Sequence, residues 1–422
     1  MNFTKATNSD RVIFLIDFDA FFASCHIIEN PSYKNQKIAV AYSEKFSIIT
    51  AASYAAREFG VKAGMTAFNA LKSCPDLVLV KPNFSLYSKV SKMVFEFFHD
   101  TYSKKIELAS IDECYLDVTT EYKKYGSVEK MAQHILDSVS EKFNITCSIG
   151  ISTNKFLAKV SSERNKPNGF YRILPSEIKK KLWPLDVLKM FGVGQKTKII
   201  LDKLGIKTIG DLANSNKNTV IEALNKSGLI LWNRSNGIDP SELNADFADL
   251  KSFGAEVTFY TPTQNIGELE QYLYDMAFTV KNKLESRNLS CKTIAVLIKY
   301  QDEKLSKKKT SMQQTVEMPI STLEQIFAIA KNNFYSLWNG AEIRLVGVRA
   351  TNTSKEYNVK EQQTFLQPKK NNSNIETIVD NINNQINIEK LLTGTNLQIK
   401  IDEEKRTSKF QKGEFDSDKR RS

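Results

Sequence analysis

Apolar residues fall in short blocks along this chain, and the blocks switch between a two-residue and a 3.6-residue period. Val12–Asp17 is a continuous apolar run ended by an acid, the pattern of a buried strand, and it breaks into Phe18-Asp19-Ala20-Phe21-Phe22. Ile38–Ala41 reads as a strand and Ala51–Phe59 as a helix closed by Gly60. Lys89–Phe98 has helical spacing, and Ile106–Asp117 reads as paired strands around Asp112-Glu113. Val128–Phe143 is an amphipathic helix, and Thr146–Ile151 is a strand leading into a lysine-rich helix. Strands alternating with helices predict an α/β or α+β core.

From about Pro175 the texture changes. Leu185–Met190, Phe191-Gly192-Val193-Gly194 and Gln195–Leu204 read as helix, tight glycine hairpin and helix, with a small helix from Thr208. Asn236–Asp249 is polar and irregular, a linker pattern. Beyond it, strands at Thr293–Tyr300, Gln313–Met318 and Arg344–Ala350 alternate with helices near Gly267–Arg287 and Thr322–Trp338. After Thr351 the chain is Asn- and Lys-rich, with a weakly amphipathic stretch at Ile375–Leu392.

Length adds that 422 residues make two to four domains, and a 41% hydrophobic composition suffices for real cores. A net charge of +11 calls for a polyanionic partner, nucleic acid or an anionic membrane. Nothing anchors the chain to a membrane. The N-terminal apolar run is cut by Asp17, unlike a signal peptide, and no stretch reaches the roughly 18 apolar residues of a span. Five cysteines without a CxxC pair read as reduced, packed thiols of a cytoplasmic protein.

The acids carry the candidate chemistry. Asp17 ends one apolar strand, and Asp112-Glu113 lie in another apolar segment about 95 positions later. Each alone reads as a strand end facing solvent. Together they form a set of hard oxygen ligands from neighbouring strands, suited to Mg²⁺ bound jointly by carboxylates and substrate phosphates.

At these residues the sequence resembles the Y-family DNA polymerases. Asp17-Phe18-Asp19-Ala20-Phe21-Phe22-Ala23-Ser24 is similar to their opening motif, and Ser110-Ile111-Asp112-Glu113 to their second acidic motif. Residues 53–65, Ser53-Tyr54-Ala55-Ala56-Arg57 to Gly64-Met65, resemble the fingers motif. Gly150-Ile151-Ser152, Asn154-Lys155, Leu157-Ala158-Lys159 and Lys166-Pro167-Asn168-Gly169 resemble the last palm motif. The similarity runs from about residue 11 to 350 and is nearest to the DinB and Gram-positive UmuC-like branches.

The resemblance implies an α+β multidomain, right-hand-like polymerase. Its parts would be a ferredoxin-like palm (1–19 and 83–173), small fingers (20–82) and a helical helix-hairpin-helix thumb (174–240). A linker (241–250), an α/β little finger (251–352) and a polar tail (353–422) would follow. It implies template-directed, low-fidelity extension of a DNA primer past damaged bases, without proofreading, by a monomer using deoxynucleoside triphosphates. Two Mg²⁺ ions would be held by Asp17, Asp112, Glu113 and the Phe18 carbonyl, with Glu113 nearest the primer terminus. The alternatives are a UmuC-like subunit active only with accessory proteins and an inert DNA- or clamp-binding scaffold.

Phe22 falls at the family's steric-gate position; by itself it reads as a core aromatic. A 2′-hydroxyl would overlap its ring, which excludes ribonucleotides. Tyr54 and Arg57, three apart on one predicted face, could hold the β- and γ-phosphates. Lys155 and Lys159 form either a solvated face or a phosphate-facing one, and the resemblance gives Lys166 a contact with the incoming triphosphate. In one departure Ala51 stands where the family usually has Thr, with Thr50 beside it. Gly192, Gly194 and Lys196 suit backbone approach to a DNA phosphate. The Lys304–Lys309 cluster is either a solvated loop or a further phosphate contact. Gln362, Phe365 and Leu366 within Gln362-Gln363-Thr364-Phe365-Leu366 resemble a sliding-clamp-binding peptide, although the family order usually has Leu before Phe.

Overall fold

The computed structural model describes residues 11–43, 47–244, 252–306 and 310–355. The chain divides into two compact units at Leu250/Lys251. Its strands run β1 (Ile13–Phe18), β2 (Ile38–Val40), β3 (Ala51–Ala52), β4 (Val78–Val80), β5 (Ile106–Leu108) and β6 (Glu113–Asp117). They continue as β7 (Cys147–Ser152), β8 (Phe170–Arg172), β9 (Ser252–Thr263), β10 (Leu289–Tyr300), β11 (Ser311–Ile320) and β12 (Ile343–Lys355).

In the first unit, β5-β6-β1-β7-β8 form a five-stranded sheet with β1 at its centre, antiparallel to both neighbours. Every residue of β1 and β7 is buried, because both faces of these strands are covered. This is why β1 reads as a continuous apolar run instead of an alternation. On one face Phe14, Ile16, Phe18, Cys114, Leu116 and Ile149 meet Val94, Phe95 and Phe98 of helix Phe84–Thr101 and Met131, Ile135 and Val139 of helix Val128–Phe143. On the other, Ala158 of helix Lys155–Ser162 packs on Ile13 and Leu15. That helix begins where Asn154 caps it, its side chain accepting the Leu157 N–H.

A small sheet, β3-β2-β4, carries its own core of Ala39, Ile49, Ala52, Val61 and Leu77. Here the sequence reading needs correction. Ala51-Ala52 pair with β2 as a strand, and the helix is only Tyr54–Arg57, capped by the Ser53 hydroxyl. Backbone pairing overrides the high helix propensity of alanine. The expected helix at Leu185–Met190 is likewise a three-residue 3₁₀ turn, Val187–Lys189. The Asp186 side chain accepts the Leu188 N–H, and Val187 donates to the Lys207 carbonyl, so the segment is held by tertiary bonds. Helix Gln195–Lys203 follows the glycine turn as expected.

The second unit is an antiparallel sheet, β11-β10-β12-β9, with Leu269, Leu273, Ala277 and Val280 of helix Ile266–Glu285 and Ile326, Ala330 and Phe334 of helix Leu323–Leu337 on its strands. All five cysteines are free and buried. Among the described residues no helix is long and apolar enough to cross a membrane. Lys307, Lys308, Lys309, the 362–366 peptide and the 375–392 stretch lie outside the described residues.

Candidate active site

Alternation along β1 decides where its acid goes. With Phe14, Ile16 and Phe18 turned to the two-helix core, Ile13, Leu15 and Asp17 take the opposite face. Asp17 lies directly across from Glu113 in β6, a pairing that sets the two side chains together on that face. Two carboxylates with little exposure to water therefore meet at one end of the sheet.

Helix Lys155–Ser162 roofs this face, and its lysines turn into it. Lys159 Nζ is 3.1 Å from Asp17 Oδ2 and donates to Glu113 Oε1. Lys166, in the following turn, places its Nζ 2.5 Å from Asp17 Oδ1. Lys155 donates to both carboxylate oxygens of Glu107 at 2.9 Å. The cationic side of this helix is thus neither free in solvent nor idle. It is paired against the acids of the sheet.

Electrostatics separates the two acids. Burial pushes Asp17 up, but Lys166, the hydrogen bond with Glu113 and the charge of Lys159 outweigh it and hold the carboxyl below its ordinary value. Glu113, pushed up by burial and then by its hydrogen bond with Asp17, reaches about 7 despite Lys159. The pair behaves as one site that retains a proton more readily than an isolated acid. Burial works to lower Lys159 and Lys166, yet the charge of Asp17 reverses this, and both ammonium groups are held above their ordinary values.

Asp112 stands one residue before Glu113. Its carbonyl accepts the Phe18 N–H at 2.9 Å, and its carboxylate accepts the Ser110 hydroxyl. Among the described residues no three acidic, histidine or cysteine side chains gather into a ready-made cation cage. The donor set nevertheless fits Mg²⁺, which takes one or two carboxylates together with substrate phosphates and seldom an all-protein cage. A positive group, the Lys159 ammonium, already bridges Asp17 and Glu113.

The Phe18 ring anchors this end of β1, stacked on Phe95 at 5.3 Å and packed beside Phe98. After it the chain turns sharply at Ala20, whose φ of 46° is left-handed, and enters helix Phe21–Glu29. Phe22 lies in the first turn of that helix. Its half-buried ring stacks on Tyr87 (4.1 Å between centroids, 9° between planes) and meets Phe84 edge-on. Tyr87 is itself held by a 2.7 Å bond to His26 Nε2.

Tyr54 donates its hydroxyl to Asp19 Oδ1 at 3.3 Å, and burial pushes its phenol up to about 12, so it remains a donor at neutral pH. The exposed Arg57 guanidinium lies 4.6 Å over the Tyr54 ring. The Thr50 hydroxyl donates to the Val40 carbonyl at 3.0 Å, so beside Ala51 it serves the strand edge. Gly192, Gly194 and Lys196 are all exposed, Gly192 in a turn at a φ of 101°, Gly194 capping helix Gln195–Lys203 and Lys196 in its first turn. Sequence reading named Lys159 only as part of a helix face that could meet either solvent or phosphate, and gave Asp19 and Tyr87 no role. The i,i+4 spacing of Lys155 and Lys159 was the available signal, but it did not say that the sheet's acids lie beneath.

The impB/mucB/samB family profile matches residues 16–163, and the profile of that family's C-terminal domain matches 250–365. DNA polymerase IV of Oceanobacillus iheyensis is 36% identical over 361 residues, covering 84% of each chain. DNA polymerase IV of Bacillus anthracis is 33% identical over 378 residues, covering 88% of this chain and 90% of its own. A solved Y-family DNA polymerase chimera superposes with a TM-score of 0.71 and 26% identity, over 81% of this chain and 98% of its own.

Proposed function

Since the chain belongs to the impB/mucB/samB family, the Y-family DNA polymerases, we propose that Asp17, Asp112 and Glu113 form its nucleotidyl-transfer centre. It is a translesion DNA polymerase of right-hand-like architecture, acting on DNA and nucleotides and depending on a divalent metal. The observation that carries the site assignment is the Asp17–Glu113 pair, set across β1 and β6 and bridged by an ammonium.

In this reading Asp17, Asp112, Glu113 and the Phe18 carbonyl would hold two Mg²⁺ ions, and these would supply charge stabilisation at the attacking 3′-oxygen and the leaving pyrophosphate. Lys159 keeps the acid pair charge-balanced beforehand. Lys166, Tyr54 and Arg57 take the triphosphate, where an Arg fork and an ammonium match phosphate oxygens. Gly192, Gly194 and Lys196 approach a DNA phosphate. The palm comprises 1–19 and 83–173, the fingers 20–82, the thumb 174–240 and the little finger 251–352, with 241–250 as linker. The protein is a cytoplasmic monomer.

Primer extension by the purified protein with Mg²⁺, opposite undamaged and damaged templates, tests this directly. Template-independent addition, or none at all without accessory proteins, would count against it. Replacing Phe22 by Ala tests the gate, because the Tyr87 stack then no longer carries a ring beneath the sugar. Ribonucleotide incorporation should rise on the order of 10- to 100-fold, the equivalent of relieving about 1–3 kcal/mol of overpacking. Unchanged sugar selectivity would move the gate elsewhere. Gln362, Phe365 and Leu366 are proposed to dock a sliding clamp from the 353–422 tail. Truncation before Gln362 should remove clamp stimulation and spare clamp-free extension, and equal stimulation of both forms would dismiss the motif.

A further inference from the structure

Asp19 is the most deeply enclosed carboxylate near the site, 2% exposed, and the roles above leave it unused. Its Oδ1 accepts the Ser148 hydroxyl at 2.8 Å and the Tyr54 hydroxyl at 3.3 Å, and its Oδ2 accepts the Asn168 backbone N–H at 2.8 Å. These three donors replace water around a buried carboxylate and make its burial tolerable.

They also come from three separate pieces of chain. Ser148 belongs to β7, directly across from Asp17. Tyr54 opens the short helix Tyr54–Arg57 beside the small sheet, and Arg57 rests over its ring. Asn168, left-handed at a φ of 52°, ends the turn that carries Lys166. The backbone of Asp19 is fixed in turn, its N–H donating to the Thr146 carbonyl and its carbonyl accepting the Ser24 hydroxyl at 2.7 Å.

We propose that Asp19 is a positioning residue for the triphosphate subsite, its single carboxylate setting the distance between the Tyr54–Arg57 pair and the Lys166 turn. The proposal rests on the assignment of those three residues to the triphosphate. Cations spaced for a phosphate chain lose their joint grip when one shifts by about an ångström. Such a loss weakens ground state and transition state alike, so it is read in KM and leaves kcat in place.

Single-nucleotide incorporation by the full chain tests it, with Asp19→Asn, Asp19→Ala and Tyr54→Phe compared in parallel. Asn keeps the size of the side chain but presents an amide N–H₂ where one oxygen accepted. KM for the deoxynucleoside triphosphate should rise about tenfold in Asp19→Asn and further in Asp19→Ala. The rate at saturating nucleotide should stay within about twofold and the affinity for primed DNA should not change. Tyr54→Phe, which removes only a hydroxyl, should raise KM in the same direction, and its combination with Asp19→Asn should fall short of the product of the two effects. A lowered melting temperature with KM unchanged would make Asp19 a structural residue only and overturn the proposal, as would a loss confined to kcat. Multiplicative effects in the double variant would overturn it as well, and that test stands on Tyr54→Phe if Asp19→Ala fails to fold. Failure of the wild-type chain to extend any primer would instead remove the polymerase centre itself.

Discussion

Asp17→Asn is expected to lower primer extension on the order of 10³-fold, the scale seen when a preorganised charge is removed from a transition state, while primed DNA still binds. Asp17 is the member of the acid pair that remains ionised, because Lys166 and Lys159 converge on its two oxygens. An amide of the same shape removes that charge and leaves two ammonium groups facing one fewer anion. It also removes the ligand that the central strand presents, and β1 offers no other acid on that face. Asp112→Asn carries the same expectation under the proposed centre, although here its carboxylate accepts the Ser110 hydroxyl and not a bond from the acid pair. Gel-resolved extension alongside fluorescence anisotropy on labelled primer-template separates the two readouts. Turnover within tenfold of wild type would remove the substituted acid from the centre.

Gly150→Ala should be the most damaging single methyl group in the first unit. A Cβ at Gly150 would lie 1.9 Å from the Ala158 carbonyl oxygen and 2.4 Å from the Ser162 nitrogen, both backbone atoms of the roofing helix. No rotamer change can relieve this, so helix and strand must separate. Overpacking of this kind costs about 1–3 kcal/mol, occasionally more. For a unit of this size that corresponds to a fall of roughly 2–12 °C in melting temperature. The same separation lifts Lys159 and Lys166 from Asp17, so nucleotide incorporation should fall in protein that is still folded. Differential scanning calorimetry and extension at 20 °C would check both parts. A melting temperature within a degree of wild type would mean that β7 and the helix do not meet as described.

The same contact explains what the sequence could and could not convey. β1 was legible because an unbroken apolar run ended by Asp17 has few other readings, and the Asp112-Glu113 segment was legible as paired strands for a similar reason. Lys159 was not, because i,i+4 lysines mark a polar helix face without saying what covers it. The close approach at Gly150 seats the helix on the sheet, and Lys159 then reaches the acids. Asp19 was hidden for a related reason: its three partners lie 35, 129 and 149 positions away. The strand Ser252–Thr263 escaped notice because just two of its residues, Phe253 and Phe259, are buried. Helix Lys217–Ser235 escaped because its backbone breaks at Asn225, whose φ of 52° is left-handed. The mixed α/β class and right-hand-like architecture were readable from the order of strands, helices and motifs, whereas the spacing within the site depended on contacts between distant segments.

The sealed thiols give the molecule a property unrelated to catalysis. Cys25, Cys74, Cys114, Cys147 and Cys291 all lie in the interior, and burial pushes every one of their pKa values up. Alkylating reagents and peroxides attack the exposed thiolate, so the folded chain offers them almost no target. Cys74 sits in the core of the small sheet, Cys114 and Cys147 in that of the large one, and Cys291 in the second unit. Each of these three cores thus carries its own chemical reporter of local opening, read by which cysteine becomes modified first.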